Sequence, residues 1–208
     1  MSNSAKTSYE NESNSAEDVP AIRRLQMITI AWMCIELLTA LVSGIRAHSV
    51  ALTAFAGDSA VELLSATVVL VRFRFGPANE AKAVRINSIL LYTLTAYVVL
   101  TSVLSLLSEE LRPKPSFIGI GLLVAAATIM PILGYAKKRL AKNTGSGALR
   151  ADAAQANICA YMSWIALAGL ILNATLHFSW ADSVAALLLL PLILREANEA
   201  RRGETCEG

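Results

Sequence analysis

Six long apolar runs, at 27–47, 50–71, 86–107, 117–136, 153–176 and 180–194, alternate with short breaks marked by charge, Pro or Gly. Each run approaches the roughly 20 residues that cross a bilayer as helix. The first two almost touch, and the polar cluster Arg46, His48 and Ser49 is the only break between them. One helix from 27 to 71 would be roughly 65 Å long at the α-helical rise, far more than a bilayer needs, so the pattern predicts two spans. The expected fold is therefore an all-α integral membrane protein of six transmembrane helices. Before the first run, residues 1–22 are rich in Ser, Asn and Glu and lack the basic start and short apolar core of a secretory signal. That composition predicts a disordered cytosolic tail. The remaining division is a six-helix domain over 23–202 and a short cytosolic tail at 203–208.

Composition strengthens the membrane assignment. A chain of 208 residues that is 55% hydrophobic and 16% charged carries more apolar surface than one compact soluble domain buries. Its net charge of +2 gives no reason to expect a nucleic-acid partner. Placement of the basic residues says more. Arg23 and Arg24, then Arg72, Arg74, Lys82 and Arg85, then Lys137, Lys138, Arg139, Lys142 and Arg150, then Arg195, Arg201 and Arg202 all flank one set of span ends. The alternate loops hold only Arg46, Arg112 and Lys114. The positive-inside rule then predicts both termini in the cytoplasm, of a plasma or inner membrane, which requires an even number of spans.

Charge inside the apolar runs carries the functional signal. An acidic side chain in hydrocarbon costs a few kcal/mol and persists where it faces a partner or a water-filled path. Asp58 and Glu62 in the second run are four residues apart, so they project from one helical face with oxygens close enough to share a cation. Carboxylates at that spacing suit a divalent metal and also offer titratable sites for proton exchange. The alternative is a protonated pair that hydrogen-bonds between helices. Gln155 and Cys159 repeat the spacing in the fifth run, with Cys159 at about the same depth as Glu62. A four-residue metal site of Asp58, Glu62, Gln155 and Cys159 is thus geometrically possible, and a thiolate ligand would favour zinc or a softer metal over magnesium or calcium. The competing readings are a small buried apolar residue for Cys159 and an interhelical hydrogen bond for Gln155.

These residues resemble a family, the cation diffusion facilitators. Ala47-His48-Ser49-Val50-Ala51-Leu52 leading into Asp58-Ser59-Ala60-Val61-Glu62 is similar to the family's second-helix signature. Ala148-Leu149-Arg150-Ala151-Asp152 resembles its fifth-helix entry, with Gln155 and Cys159 at the ligand positions that usually hold His and Asp. The stretch from Trp180 to Leu187 resembles the opening of its sixth helix. The resemblance implies a homodimeric exporter that exchanges zinc, or a similar divalent metal, for protons between the second and fifth helices. It also implies kinship with the shorter members that consist of the membrane domain alone, without a cytosolic metal-sensing domain.

Four further polar residues are pathway candidates. Glu36 lies midway along the first run, and Asp152 stands near the inner boundary beside Arg150, where an ion pair or a helix-start role competes. Asn173 shares a face with Gln155 near the outer end. Asp182, two residues into the sixth run, is read first as a cap for that helix. Three cysteines, Cys34, Cys159 and Cys206, show no disulfide-like spacing. With no Gly-rich phosphate loop, nucleophile elbow or HExxH pattern, an enzyme is not expected, nor a permanently bound cofactor. The expected partners are membrane lipid, a second copy of the chain, the metal cargo and protons. The rival readings are a non-transporting helical bundle that binds a partner, and a carrier for a monovalent cation.

Overall fold

The structure, a computed structural model, describes residues 2–75, 80–108 and 111–202, with side chains left undescribed at 2–19, 69, 72–75, 80–87, 147–148 and 199–202. Its elements are α1 (Ser2–Ala47), α2 (Val50–Phe75), α3 (Glu80–Leu107), α4 (Phe117–Thr144), α5 (Gly147–Leu176) and α6 (Trp180–Arg202). No strand occurs among the described residues. α1 begins inside the segment expected as a disordered tail, and its apolar, membrane-length part is Pro20–Ala47. The expected tail at 203–208 lies outside the described residues, as do the side chains of Arg72, Arg74, Lys82, Arg85, Arg201 and Arg202.

Four helical segments are long and apolar enough to cross a membrane: Pro20–Ala47, Ser88–Leu107, Phe117–Thr144 and Leu149–Leu176. The apolar stretch of α2 is diluted by Asp58 and Glu62, and that of α6 by Asp182, Arg195 and Glu196. α1 shows how the sequence sorts its faces. Ile22, Gln26, Thr29, Met33, Glu36, Ala40, Ser43 and Ala47 recur at steps of three and four and are buried, while Met27, Ile28, Ile35, Leu38 and Ile45 stand exposed. Apolar residues outside and polar ones on the buried stripe reverse the pattern of a helix on a soluble core. That is the arrangement a hydrocarbon solvent favours.

The helices close a ring in which α1 packs on α2, α2 on α3, α3 on α6, α6 on α5, α5 on α4 and α4 on α1. α2 also reaches across to α5 and α6. A buried face therefore runs along nearly its first five turns: Ala51, Leu52, Ala54, Phe55, Asp58, Ser59, Val61, Glu62 and Ala66 are all buried. The acidic pair thus sits on the element with the most interior position.

The break between α1 and α2 is a two-residue turn. His48 takes a left-handed conformation (φ 52°), and the amides of His48 and Ser49 bond back to the carbonyls of Ile45 and Gly44 at 3.3 and 2.9 Å. This is the Schellman arrangement, which satisfies the last carbonyls of α1. Ser49 then caps α2 by accepting the Leu52 amide at 3.1 Å. Two further caps follow the same rule: Ser116 accepts from Gly119 at the start of α4, and Ser146 from Leu149 at the start of α5.

Close approach of α5 and α6 depends on Gly169. A Cβ there would lie 2.5 Å from the Ala185 Cβ and 3.1 Å from the Ala181 carbonyl oxygen. Gly169→Val should force these helices apart at a cost of about 1–3 kcal/mol. Thermal unfolding of purified protein in detergent checks this, with Gly121→Val, where nothing lies within 4 Å, as the substitution expected to leave stability unchanged.

Candidate functional site

A chain of buried polar side chains runs through the bundle from α1 to α6. At one end, Lys137 of α4 lies 3.1 Å from an Asp152 oxygen and 3.4 Å from Oε1 of Glu62, with none of the three side chains exposed. Gln26 of α1 donates from Nε2 to the same Asp152 oxygen at 2.7 Å. Four helices, α1, α2, α4 and α5, meet in this network. Lys137 turns inward because it follows Met130, Leu133 and Gly134 at helical spacing on the buried face of α4, which Ala141 continues. Its neighbours Lys138 and Arg139 are exposed.

One helical turn away, the second group gathers around Asp58 and Glu36. Ser59 donates to Oε1 of Glu36 at 2.7 Å, and the Cys159 thiol donates to the same oxygen at 3.6 Å. Asp58 is fully buried and faces Cys159 and Glu196, which comes from α6. Neither Asp58 oxygen meets a hydrogen-bond donor in bonding geometry, and neither does Oε2 of Glu36, Oε2 of Glu62 or Oδ1 of Asp152. A buried acceptor without a donor costs about 1–3 kcal/mol, and more when charged. A bound proton or a cation would offset that cost.

The residues singled out from sequence divide as follows. Asp58, Glu36 and Cys159 come together, whereas Glu62 is turned toward Lys137 and Asp152. Gln155 is partly exposed and forms no hydrogen bond with any of them. Among the described residues no group of three or more His, Cys, Asp and Glu side chains stands close enough together to hold a metal ion. Asn173 is buried and donates to the Pro113 carbonyl at 3.1 Å, which fixes the α3–α4 loop against α5.

Asp182 caps α2 rather than its own helix. Its Oδ1 accepts from the Ser49 hydroxyl at 2.5 Å and its Oδ2 from the Ala51 amide at 3.2 Å. A carboxylate at those amides also faces the positive end of the α2 dipole. Nearby, the Ser183 hydroxyl donates to Ser105 at 3.0 Å and the Lys114 amide to the Ala47 carbonyl at 2.7 Å. This end of the bundle is laced together by neutral and capping hydrogen bonds. The opposite half holds the ion pair.

Sequence reasoning missed Lys137, Gln26 and Glu196 as members of the site. Lys137 falls among the basic residues that flank the span ends, although its spacing from Met130 and Gly134 places it on a buried face. Glu196 lies just past the apolar end of the sixth run, beside Arg195, where charge carries no signal of burial.

No family model matches the sequence, and no curated protein matches it.

The α2 cap generates a direct test. Asp182→Ala strands the Ser49 hydroxyl and the Ala51 amide and should cost about 1–3 kcal/mol. Ser49→Ala should cost about 1 kcal/mol. Chemical or thermal unfolding in detergent measures both, and an unchanged midpoint for Asp182→Ala would contradict the capping role.

Proposed function

We propose that the chain is a six-span membrane carrier for a divalent metal cation, zinc first, with both termini in the cytoplasm and a mode of action like that of the cation diffusion facilitators it resembles. The observation that carries the reading is the burial of Glu36, Asp58, Glu62 and Asp152 between apolar helices, with acceptor oxygens on each that no donor satisfies. Each intramembrane acid costs roughly 2.5–3.5 kcal/mol on insertion scales, so four of them persist for a function that needs negative charge. The soft Cys159 beside the Asp58 and Glu36 carboxylates favours zinc or a neighbouring transition metal over magnesium and calcium.

In this scheme the metal enters from the cytoplasmic side, where Asp152 stands, and binds Asp58, Glu62 and Cys159 in their deprotonated forms, so that protons leave as it binds. Rocking of the helices exposes the site on the other side, and returning protons release the cargo. Lipid surrounds the bundle, and a homodimer is the assembly implied by the family resemblance. The reading is of a carrier, with no chemical transformation of its cargo.

One observation favours a second reading, a static bundle whose acids act as interhelical glue. The Gln26, Asp152, Lys137 and Glu62 network already joins four helices and supplies its own positive charge. Flux separates the two. Zinc uptake into proteoliposomes under an imposed pH gradient should be readily measured for the wild-type chain and abolished in Asp58→Asn and Glu62→Gln, which keep shape but lose charge. If neither zinc nor another divalent metal moves while the protein remains folded, the glue reading replaces the carrier.

A further inference from the structure

Lys137 is the cationic member of this polar chain, and a metal site has no evident need for it. Its side chain is fully buried, and its ammonium contacts two carboxylates from two other helices, Glu62 on α2 and Asp152 on α5. An ammonium in that position does to Glu62 what an incoming cation would do. It supplies positive charge at 3.4 Å from Oε1, while Oε2 of Glu62 and Oδ1 of Asp152 are left without donors. A lysine is well suited to such a duty, because it is a compact charge on a flexible four-carbon stem. Two positive charges cannot share Glu62 cheaply in a medium of low dielectric.

We propose that Lys137 is a built-in counter-cation that holds Glu62 and Asp152 while the carrier is empty, and that a divalent cation binding at Glu62 must displace its ammonium. The inference rests on the carrier reading and adds a competitor to it. Lys137 makes cargo binding weaker than the carboxylates alone would allow, and on release it returns to Glu62. Asp152 is then the residue that keeps the displaced ammonium within reach, being the nearer of its two partners at 3.1 Å. The tethered charge limits affinity, and a carrier needs limited affinity to let its cargo go.

The test is zinc binding to the purified full-length chain in detergent, by titration calorimetry at fixed pH. Lys137→Met should bind zinc at least about tenfold more tightly than wild type, since removal of a charge in direct contact is worth more than that factor at an effective dielectric near 20. The single substitution also adds one net negative charge. Lys137→Met/Asp152→Asn preserves the net charge of the site and should still bind more tightly than wild type. A purely structural lysine predicts the reverse, with weaker binding in both variants as the site loosens. Equal or weaker binding in a folded variant overturns the proposal and leaves the carrier reading standing. No binding of zinc, cobalt, cadmium or manganese by any form removes the carrier reading, and the proposal with it.

Discussion

Carboxylates confined between apolar helices must be compensated from within, and the arrangement of this bundle follows from that constraint. Four of the buried acids, Glu36, Asp58, Glu62 and Asp152, would together cost on the order of 10 kcal/mol uncompensated. That is comparable to the whole net stability of a typical domain. The molecule meets the demand locally and unequally. Glu62 and Asp152 share the Lys137 ammonium, Glu36 takes two hydrogen bonds on one oxygen, and Asp58 is left with acidic and thiol neighbours. Under the proposed carrier function, that shortfall at Asp58 would be the opening for a cation or a proton.

α2 connects this shortfall to the rest of the structure. It packs against α1, α3, α5 and α6, so a displacement of its acidic turn would be felt by most of the bundle. Its N-terminus is pinned by Ser49 and Asp182, and Glu62 is pinned by Lys137 three turns further on. A rocking motion that exposed the site on the cap side would have to loosen the hydrogen bonds among Ser49, Asp182, Ser105 and Ser183. The ion pair at the other half contains the charge that a cation would replace in the proposed carrier.

Hydrophobic runs made the helices legible, because apolar length and charged breaks are what a bilayer imposes on a sequence. The two-residue turn at His48 and Ser49 was legible for a physical reason too: a single helix across both runs would have been too long. The acidic pair on α2 was equally clear, since intramembrane charge is rare. What could not be read was the pairing of faces. Whether Cys159 meets Glu62 or Glu36 depends on how α5 is rotated against α1 and α2, and spacing within one helix does not carry that information. Asp182 posed the same difficulty: position along α6 suggested a cap for α6, whereas its carboxylate reaches the amides of α2. Lys137 was hidden by company, a buried cation standing next to two solvent-facing ones.

The central claim is that the carboxylates around Asp58, together with Cys159, receive a divalent metal. X-ray absorption at the zinc edge of the zinc-loaded, purified chain tests it most directly, because the chain has only two histidines, His48 and His177, in turns remote from the acidic turn of α2. The account predicts a shell of oxygens at about 2.0–2.2 Å with one sulfur at about 2.3 Å and no imidazole signature. A shell dominated by imidazole nitrogen, or failure to retain zinc at all, would contradict it.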